Sequence, residues 1–320
     1  MIDHAPATPA PRRGIGFIFK GKDGLRAGWS LAIFLAIFSA LMVVASVIIR
    51  PKPPGPGLPQ PLLGSLVPEA AFCVAVLVSG LLLSLIERRR FASYGLRRER
   101  RGKDLLAGMG WGAAMLSLLI GLMALCGALV FDGVALGAGA ALGYGAAWFG
   151  FFCLVGLFEE FLTRGFLQYT LARGVAGLIA SVSPSARSAR TIGFWVAAAV
   201  FSVGLFAAGH ISNAGESAMG LLSVALAGLT FAYALYRTGS LWWAIGFHAT
   251  WDWAQSFLYG VPDSGMMMEG HLLATHPTGA ALLSGGATGP EGSVLIVPTL
   301  LLTILIIHRT LPRRATAFDA

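Results

Sequence analysis

Long apolar stretches separated by short polar segments occupy almost the whole chain. A helix needs about 20 mostly apolar residues to cross roughly 30 Å of hydrocarbon, and eight stretches approach that length. Because lipid offers no hydrogen-bond partner to an open backbone, we expect each stretch to be a helix. The expected spans cover 27–49, 66–86, 105–131, 145–168, 191–211, 217–236, 240–258 and 292–308. The pattern predicts an all-α fold, a polytopic membrane helical bundle of about eight transmembrane helices.

The polar segments divide the chain into one membrane domain and two tails. Residues 1–26, with several Pro, Arg and Lys, predict a flexible cytoplasmic tail, and 311–320 predict a second one. The first apolar stretch is longer than a signal-peptide core and is therefore expected to be a retained span. Residues 27–310 form the expected membrane-embedded helical domain. Within it, the Gly-rich segment 259–290 predicts an irregular loop; its methionines and histidines suggest a metal-binding tract only as the weaker alternative.

Composition supports a membrane protein and argues against a soluble one. The chain is 56% hydrophobic and 12% charged, whereas soluble domains are about 25% charged. The formal net charge of +8 does not indicate nucleic-acid binding here, because the basic residues lie at the ends of apolar stretches. Cys73, Cys126 and Cys153 show no close pairing, so neither a disulfide framework nor a zinc knuckle is expected. Membrane lipids are the first predicted partners.

The basic residues also predict the orientation in the membrane. Positive charges collect on the cytoplasmic side of membrane proteins. With eight spans, only Arg50 and Lys52 of the 23 Lys and Arg residues fall on the side opposite the termini. Both termini are therefore predicted to be cytoplasmic. The richness in Ala, Gly and Arg suggests a bacterial inner membrane.

Several ionisable side chains lie in three of the predicted spans, while the other spans are nearly free of charge, with Glu69 near the start of the second. Each such group costs about 2.5–3.5 kcal/mol near the centre of an inserted helix, so a repeated cost indicates a function. These residues are Glu159, Glu160 and Arg164 in the fourth span, His210 at the end of the fifth, and His248 and Asp252 in the seventh.

The spacing of these residues suggests how they act. Glu160 and Arg164 are four residues apart and can pair on one helix face, while Glu159 points about 100° away and is free to face something else. His248 and Asp252 share the same spacing. Asp252 could orient the imidazole, or both could bind one metal ion.

Gly108 and Gly112 form a single GxxxG motif, a weak signal for close helix packing.

Three ordered motifs carry a resemblance to a known family. Residues 159–164 read EEFLTR, which fits EExxxR; 206–210 read FAAGH, which fits FxxxH; and 248–252 read HATWD, which fits HxxxD. In this order they resemble the CPBP family, also called Abi or CAAX-protease-and-bacteriocin-processing proteins, whose eukaryotic relatives are the Rce1-type CAAX prenyl endopeptidases. The resemblance covers a core of about 145–260. Residues 94–98, YGLRR, also resemble the loop that precedes this core.

The resemblance implies an intramembrane endopeptidase that cleaves a membrane-associated peptide or protein, prenylated proteins included. It implies that Glu159 activates water with help from His210, and that Glu160 and Arg164 set the geometry. His248 and Asp252 would stabilise the oxyanion, or His210, His248 and Asp252 would bind a metal, with zinc as the candidate. Prenyl endopeptidases have Asn where this chain has Asp252, and an ionised Asp cannot donate a hydrogen bond to an oxyanion.

The depths of the two histidines conflict with straight helices. His248 lies roughly 12 Å into its predicted span, whereas His210 lies roughly 30 Å beyond Arg190 at 1.5 Å per residue. We therefore expect the fifth helix to start in the cytoplasm, tilt or break.

Two other functions remain open at this stage. A proton-coupled transporter would also bury carboxylates and histidines, although no internal repeat is visible. A non-catalytic membrane scaffold, such as a bacteriocin-immunity protein, would retain the fold without needing Glu159.

Overall fold

A computed structural model describes residues 16–21, 24–52, 54–55, 57–182, 186–213 and 215–314. Most of the predicted amino-terminal tail (1–15 and 22–23) and most of the carboxyl-terminal tail (315–320) lie outside the described residues. Within the first tail, a short helix, Gly16–Phe19, is followed by the paired segments Lys20–Gly21 and Gly24–Leu25.

The described chain is a bundle of long helices with two small two-stranded sheets, one of them the amino-terminal pair just given. The 3₁₀ turns are Phe91–Ser93 and Pro290–Gly292. Strands β1 (Leu129–Val134) and β2 (Leu273–Pro277) pair antiparallel. The helices are α1 (Ala27–Ile49), α2 (Leu62–Ile86), α3 (Arg101–Leu125), α4 (Ala138–Val182), α5 (Ala186–Ala199 continued by Val200–Phe206 and Ala207–His210), α6 (Ala218–Thr238), α7 (Trp242–Trp253 continued by Ala254–Leu258), α8 (Ala281–Ser284) and α9 (Ile296–Thr310).

Six helices of the described chain, α1 to α6, are long and apolar enough to cross a membrane. The predicted helical membrane bundle is therefore confirmed. The seventh and eighth predicted spans correspond to shorter helices, since α7 has 12 α-helical residues and a five-residue extension and α9 has 15 residues. Eight crossings remain a prediction.

The outer surface is apolar where lipid is expected. On α1, Val43, Val44, Val47 and Ile48 are between 55% and 75% exposed. A soluble protein rarely exposes a continuous apolar surface of this kind. The exposed helix faces identify an integral membrane protein.

One predicted helix end and one predicted loop form a sheet instead. The third span was expected to reach residue 131, but α3 ends at Leu125 and the chain turns at Gly127, whose φ is +69°. Strand β1 follows and pairs with β2, which lies in the segment expected to be an irregular loop. The left-handed backbone at Gly127 ends the helix. Beyond it, the sheet provides hydrogen-bond partners for the backbone N–H and C=O groups at this end of the bundle.

Glycines place α7 against its neighbours. A Cβ atom on Gly108 or Gly112 of α3 would lie 2.1 Å from the Trp243 carbonyl oxygen or 2.2 Å from that of Phe247. On α7 itself, a Cβ on Gly246 would lie 2.2 Å from the Leu105 carbonyl oxygen. The GxxxG motif therefore allows the close backbone approach that small residues permit in membrane bundles, and it fixes the position of the helix that carries His248.

The three cysteines are free thiols. Cys73 is buried and its Sγ lies 3.0 Å from the Leu154 carbonyl oxygen. Cys126 is exposed at the end of α3.

Candidate active site

A cavity of about 200 Å³ lies inside the bundle, where α2, α4, α5, α6 and α7 meet. Its wall includes Glu159, His210, His248 and Asp252. The remaining two candidates, Glu160 and Arg164, lie behind this wall and are 0% and 1% exposed. Three motifs that are separate in sequence therefore converge on one space.

Glu160 and Arg164 form the ion pair that their spacing predicts. Arg164 Nη1 donates to Glu160 Oε1 at 2.7 Å, and the guanidinium lies 4.3 Å from the centre of the Phe206 ring. Pairing offsets part of the cost of burying both charges, and the ring face adds a cation–π contact. The Phe of the second motif thus contacts the Arg of the first.

His248 lies between carboxylates of two motifs. Its Nδ1 is 3.1 Å from Glu160 Oε1 on α4. Its Nε2 is 3.4 Å from Asp252 Oδ2 and 3.7 Å from Glu159 Oε2. Because an ionised carboxylate only accepts hydrogen bonds, the contact with Glu160 holds a hydrogen on Nδ1. Glu160 therefore orients the imidazole through one nitrogen, and Nε2 faces Glu159 and Asp252.

His210 reaches the same cavity from α5. Its Nδ1 lies 2.8 Å from the Phe206 carbonyl oxygen, an acceptor that holds the hydrogen on Nδ1 and leaves Nε2 available to bind a proton. The Phe206 ring centre is 5.1 Å from that of His210 and 6.4 Å from that of His248. The two histidines thus lie around one aromatic ring, which resolves the conflict in their depths.

A π-helical segment lies beside each motif. Phe161–Gln168 follows the paired glutamates and contains Arg164. Val200–Phe206 precedes His210, and Ala254–Leu258 begins two residues after Asp252. Wider turns of this kind change the direction of the side chains that follow and often occur at functional sites. In α5, such a segment interrupts the regular α-helix before His210, although the helix continues through it without a break.

Three further carboxylates line the cavity outside the motifs. Glu69 belongs to α2, whereas Asp263 and Glu291 come from the segment that follows α7. Burial, together with the nearby carboxylates of Asp252 and Glu291, raises the pKa of Asp263 well above its ordinary value. Of these three carboxylates, Glu69 alone had a signal in the sequence that pointed to the site, namely its charge inside a predicted span. Asp263 and Glu291 lie in a segment whose path the sequence did not predict.

The metal ligands expected from the sequence do not form a complete set. His248 and Asp252 approach each other, but across the described ranges no three His, Cys, Asp or Glu side chains are arranged to hold a metal ion. His210 is held by the Phe206 carbonyl oxygen instead. Zinc therefore remains a prediction, and we derive no chemical step through it. The histidines of 259–290 are likewise in no such group; His276 Nδ1 contacts Asp132 Oδ2 at 2.8 Å.

The comparison with protein families identifies the same region of the chain. Residues 141–254 match the family described as type II CAAX prenyl endopeptidase, Rce1-like. This range contains all three motifs and confirms the resemblance drawn from them. No curated protein and no solved structure matches the chain.

Proposed function

We propose that this chain, whose core resembles the Rce1-like CAAX prenyl endopeptidases, is an intramembrane endopeptidase that acts on a membrane-associated protein or peptide. The observation that carries the proposal is the convergence of Glu159, His210, His248 and Asp252 on one cavity inside the bundle. Peptide hydrolysis requires a base, a hydrogen-bond donor for the oxyanion and access for water. The cavity offers candidates for each.

Glu159 is the proposed general base. Its side chain is 25% exposed, whereas that of Glu160 is fully buried and paired with Arg164. In the proposed reaction, Glu159 takes a proton from water, and the resulting hydroxide attacks the carbonyl carbon of the peptide bond. The C–N bond of the tetrahedral intermediate then breaks, and Glu159 returns the proton to the departing amine nitrogen. His210 assists by holding the water through Nε2.

His248 is the proposed donor to the oxyanion. When Nε2 carries a hydrogen, it can turn from the carboxylates of Glu159 and Asp252 to the developing negative charge. A preorganised donor of this kind contributes about 2.7–4 kcal/mol to transition-state stabilisation. Asp252 positions the imidazole and replaces the Asn of the prenyl endopeptidases. Glu160 and Arg164 set the geometry from behind, since Glu160 holds Nδ1 of His248.

The central test compares the wild type with Glu159→Gln on a panel of fluorogenic prenylated and unmodified membrane peptides. Removing a general base lowers the rate by about 10²–10⁴-fold, so we expect the variant to lose activity while it keeps the wild-type melting curve. Glu99→Gln is the matched control, because Glu99 is exposed in a loop away from the cavity. A chelator applied to the active wild type then decides whether a metal takes part.

The other outcomes assign the alternative functions. Equal peptide binding by wild type and Glu159→Gln, with cleavage by neither, favours a non-catalytic scaffold or immunity protein. Proton-dependent solute uptake into vesicles that depends on Glu159 favours a transporter. Wild-type cleavage by Glu159→Gln would overturn the role of this residue as the base.

A further inference from the structure

The connecting segments form two separate faces at opposite ends of the bundle. On the first, Trp242 Nε1 donates to the Arg97 carbonyl oxygen at 2.8 Å, and the Arg314 amide donates to that of Arg237 at 2.9 Å. We call 87–100, 237–241 and 309–314 the basic face. On the second, β1 pairs with β2, and Thr288 Oγ1 donates to the Gly215 carbonyl oxygen at 2.8 Å. We call 50–52, 54–55, 57–61, 126–137, 211–213, 215–217 and 259–295 the acidic face.

The two faces differ sharply in charge. The basic face contains Arg88, Arg89, Arg90, Arg97, Arg98, Arg100, Arg237, Arg309, Arg313 and Arg314. The acidic face contains Asp132, Glu216, Asp263, Glu269 and Glu291, and within the ranges just given its Lys and Arg residues are Arg50 and Lys52. Positive charge marks the cytoplasmic side of membrane proteins. The acidic face is therefore predicted to be extracytoplasmic.

The cavity is lined on one side by residues of the motifs and on the other by residues of the acidic face. Its lining includes Asp263, Ser264, Met266, Met268 and Glu291, which all belong to that face. No residue of the basic face, as defined above, lines it.

Tightly packed aromatic residues close the bundle between the motifs and the basic face. Tyr94, Phe161, Phe166 and Leu241 are all at most 1% exposed. The Tyr94 ring centre lies 5.0 Å from that of Phe166 and 6.4 Å from that of Phe161. An indentation on the basic face, beside Arg164, has a volume of about 10 Å³, which is barely enough for one water molecule. A peptide cannot reach the cavity through this indentation.

We propose that the substrate enters the site through the acidic face, so that the enzyme cleaves segments of membrane-associated proteins on the extracytoplasmic side. The cleavage part of this inference rests on the proposed function. The route into the cavity can be measured whether or not the protein cleaves peptides. Under this proposal, a prenylated tail that stays in the cytoplasm does not reach Glu159. The family match alone would suggest the opposite substrate.

Cysteine labelling tests the route of access directly. The full-length chain, with Cys73, Cys126 and Cys153 replaced by Ser, receives one new cysteine at a time. Met266→Cys reports on the rim of the cavity, and Val155→Cys reports on its interior, one turn before Glu159. Arg98→Cys is the control on the basic face, where this residue is exposed. A charged, membrane-impermeant maleimide is applied to right-side-out and to inverted vesicles.

The proposal expects Met266→Cys and Val155→Cys to react in right-side-out vesicles, and Arg98→Cys to react in inverted vesicles. Reaction of Val155→Cys only in inverted vesicles would overturn it, as would a Val155→Cys that reacts in neither orientation. Size-exclusion profiles like that of the cysteine-free chain show that each variant is folded.

A cleavage assay in the same vesicles separates this proposal from the proposed function. A water-soluble peptide cleaved by the wild type, added outside, should be cut by right-side-out vesicles and spared by inverted ones. Cutting by inverted vesicles alone would refute entry through the acidic face. If neither orientation cleaves any peptide, the protease assignment fails, while the labelling result still decides the route into the cavity.

Discussion

His248 on α7 and Glu160 on α4 are joined by a 3.1 Å contact between Nδ1 and Oε1. The same oxygen accepts a hydrogen bond from Arg164 at 2.7 Å. Glu160 therefore links the arginine of the first motif to the histidine of the third. Glu160 also lies next to Glu159 on α4. Its contacts with Arg164 and His248 therefore hold the helix turn from which Glu159 reaches the cavity.

Loss of Arg164 should destabilise the protein. Arg164→Ala leaves the fully buried Glu160 without its cationic partner, and breaking a buried ion pair on one side costs about 3–5 kcal/mol. We expect a lower yield of folded protein and a lower melting temperature in detergent. Arg98→Ala, at an exposed position, is the control. A wild-type melting curve for Arg164→Ala would show that the pair does not stabilise the fold.

The contact between α3 and α7 should not tolerate a methyl group. In Gly112→Ala the new Cβ would lie 2.2 Å from the Phe247 carbonyl oxygen, so the helices must separate. Overpacking of this kind costs about 1–3 kcal/mol and would also shift His248. Gly110→Ala is the matched control on the same helix, because nothing lies within 4 Å of its Cβ position. Equal melting temperatures for the two variants would contradict this packing role.

Asp263 should make stability depend on pH. Burial and the neighbouring carboxylates raise its pKa in the folded state above the unfolded value of about 3.9. The folded state therefore binds more protons than the unfolded state between those two pKa values, and stability falls as pH rises through that range. Asp263→Asn removes this titration. Between about pH 4, which is close to the unfolded pKa, and neutral pH, the melting temperature of the variant should therefore fall less than that of the wild type. Parallel pH profiles for the two proteins would refute this assignment.

The orientation of the chain can be measured with reporters. A green fluorescent protein fused after Ala320 should fluoresce, and alkaline phosphatase at the same position should be inactive, because both termini are predicted to be cytoplasmic. Insertion after Gly279, where the acidic face leaves open space around the backbone, should give the opposite pattern. An active phosphatase at Ala320 would reverse the topology and, with it, the predicted side of the cavity.

Local spacing correctly predicted several features of the site. Glu160 and Arg164 pair because residues four apart share a helix face, although Arg164 lies in a π-helical segment. Gly108 and Gly112 mark a helix contact, as a GxxxG motif suggests, and the partner proves to be the helix of the third motif. The sequence could not identify that partner, because the motif states only that some backbone comes close.

Other features depended on how distant segments fold together. The end of α3 and the sheet β1–β2 were not predicted, since a turn at Gly127 and pairing over more than 130 residues have no local signal. Asp263 and Glu291 reach the cavity only because the segment after α7 folds back over the bundle. The predicted zinc ligands share a wall, and His248 contacts Asp252, but His210 contacts the Phe206 carbonyl oxygen instead of joining them.

By itself, the sequence determined that the chain is a helical membrane protein and which family its core resembles. It also identified the unusual polar residues within the predicted spans, Glu159, Glu160, Arg164, His210, His248 and Asp252. These properties follow from hydropathy and from spacing within single helices. Only the tertiary structure decided that Glu160 holds His248, that Phe206 lies between Arg164 and the histidines, and that described residues of the acidic face, and none of the basic face, line the cavity. Those relationships depend on helix tilt, π-helical turns and glycine contacts between helices, which arise when the helices pack.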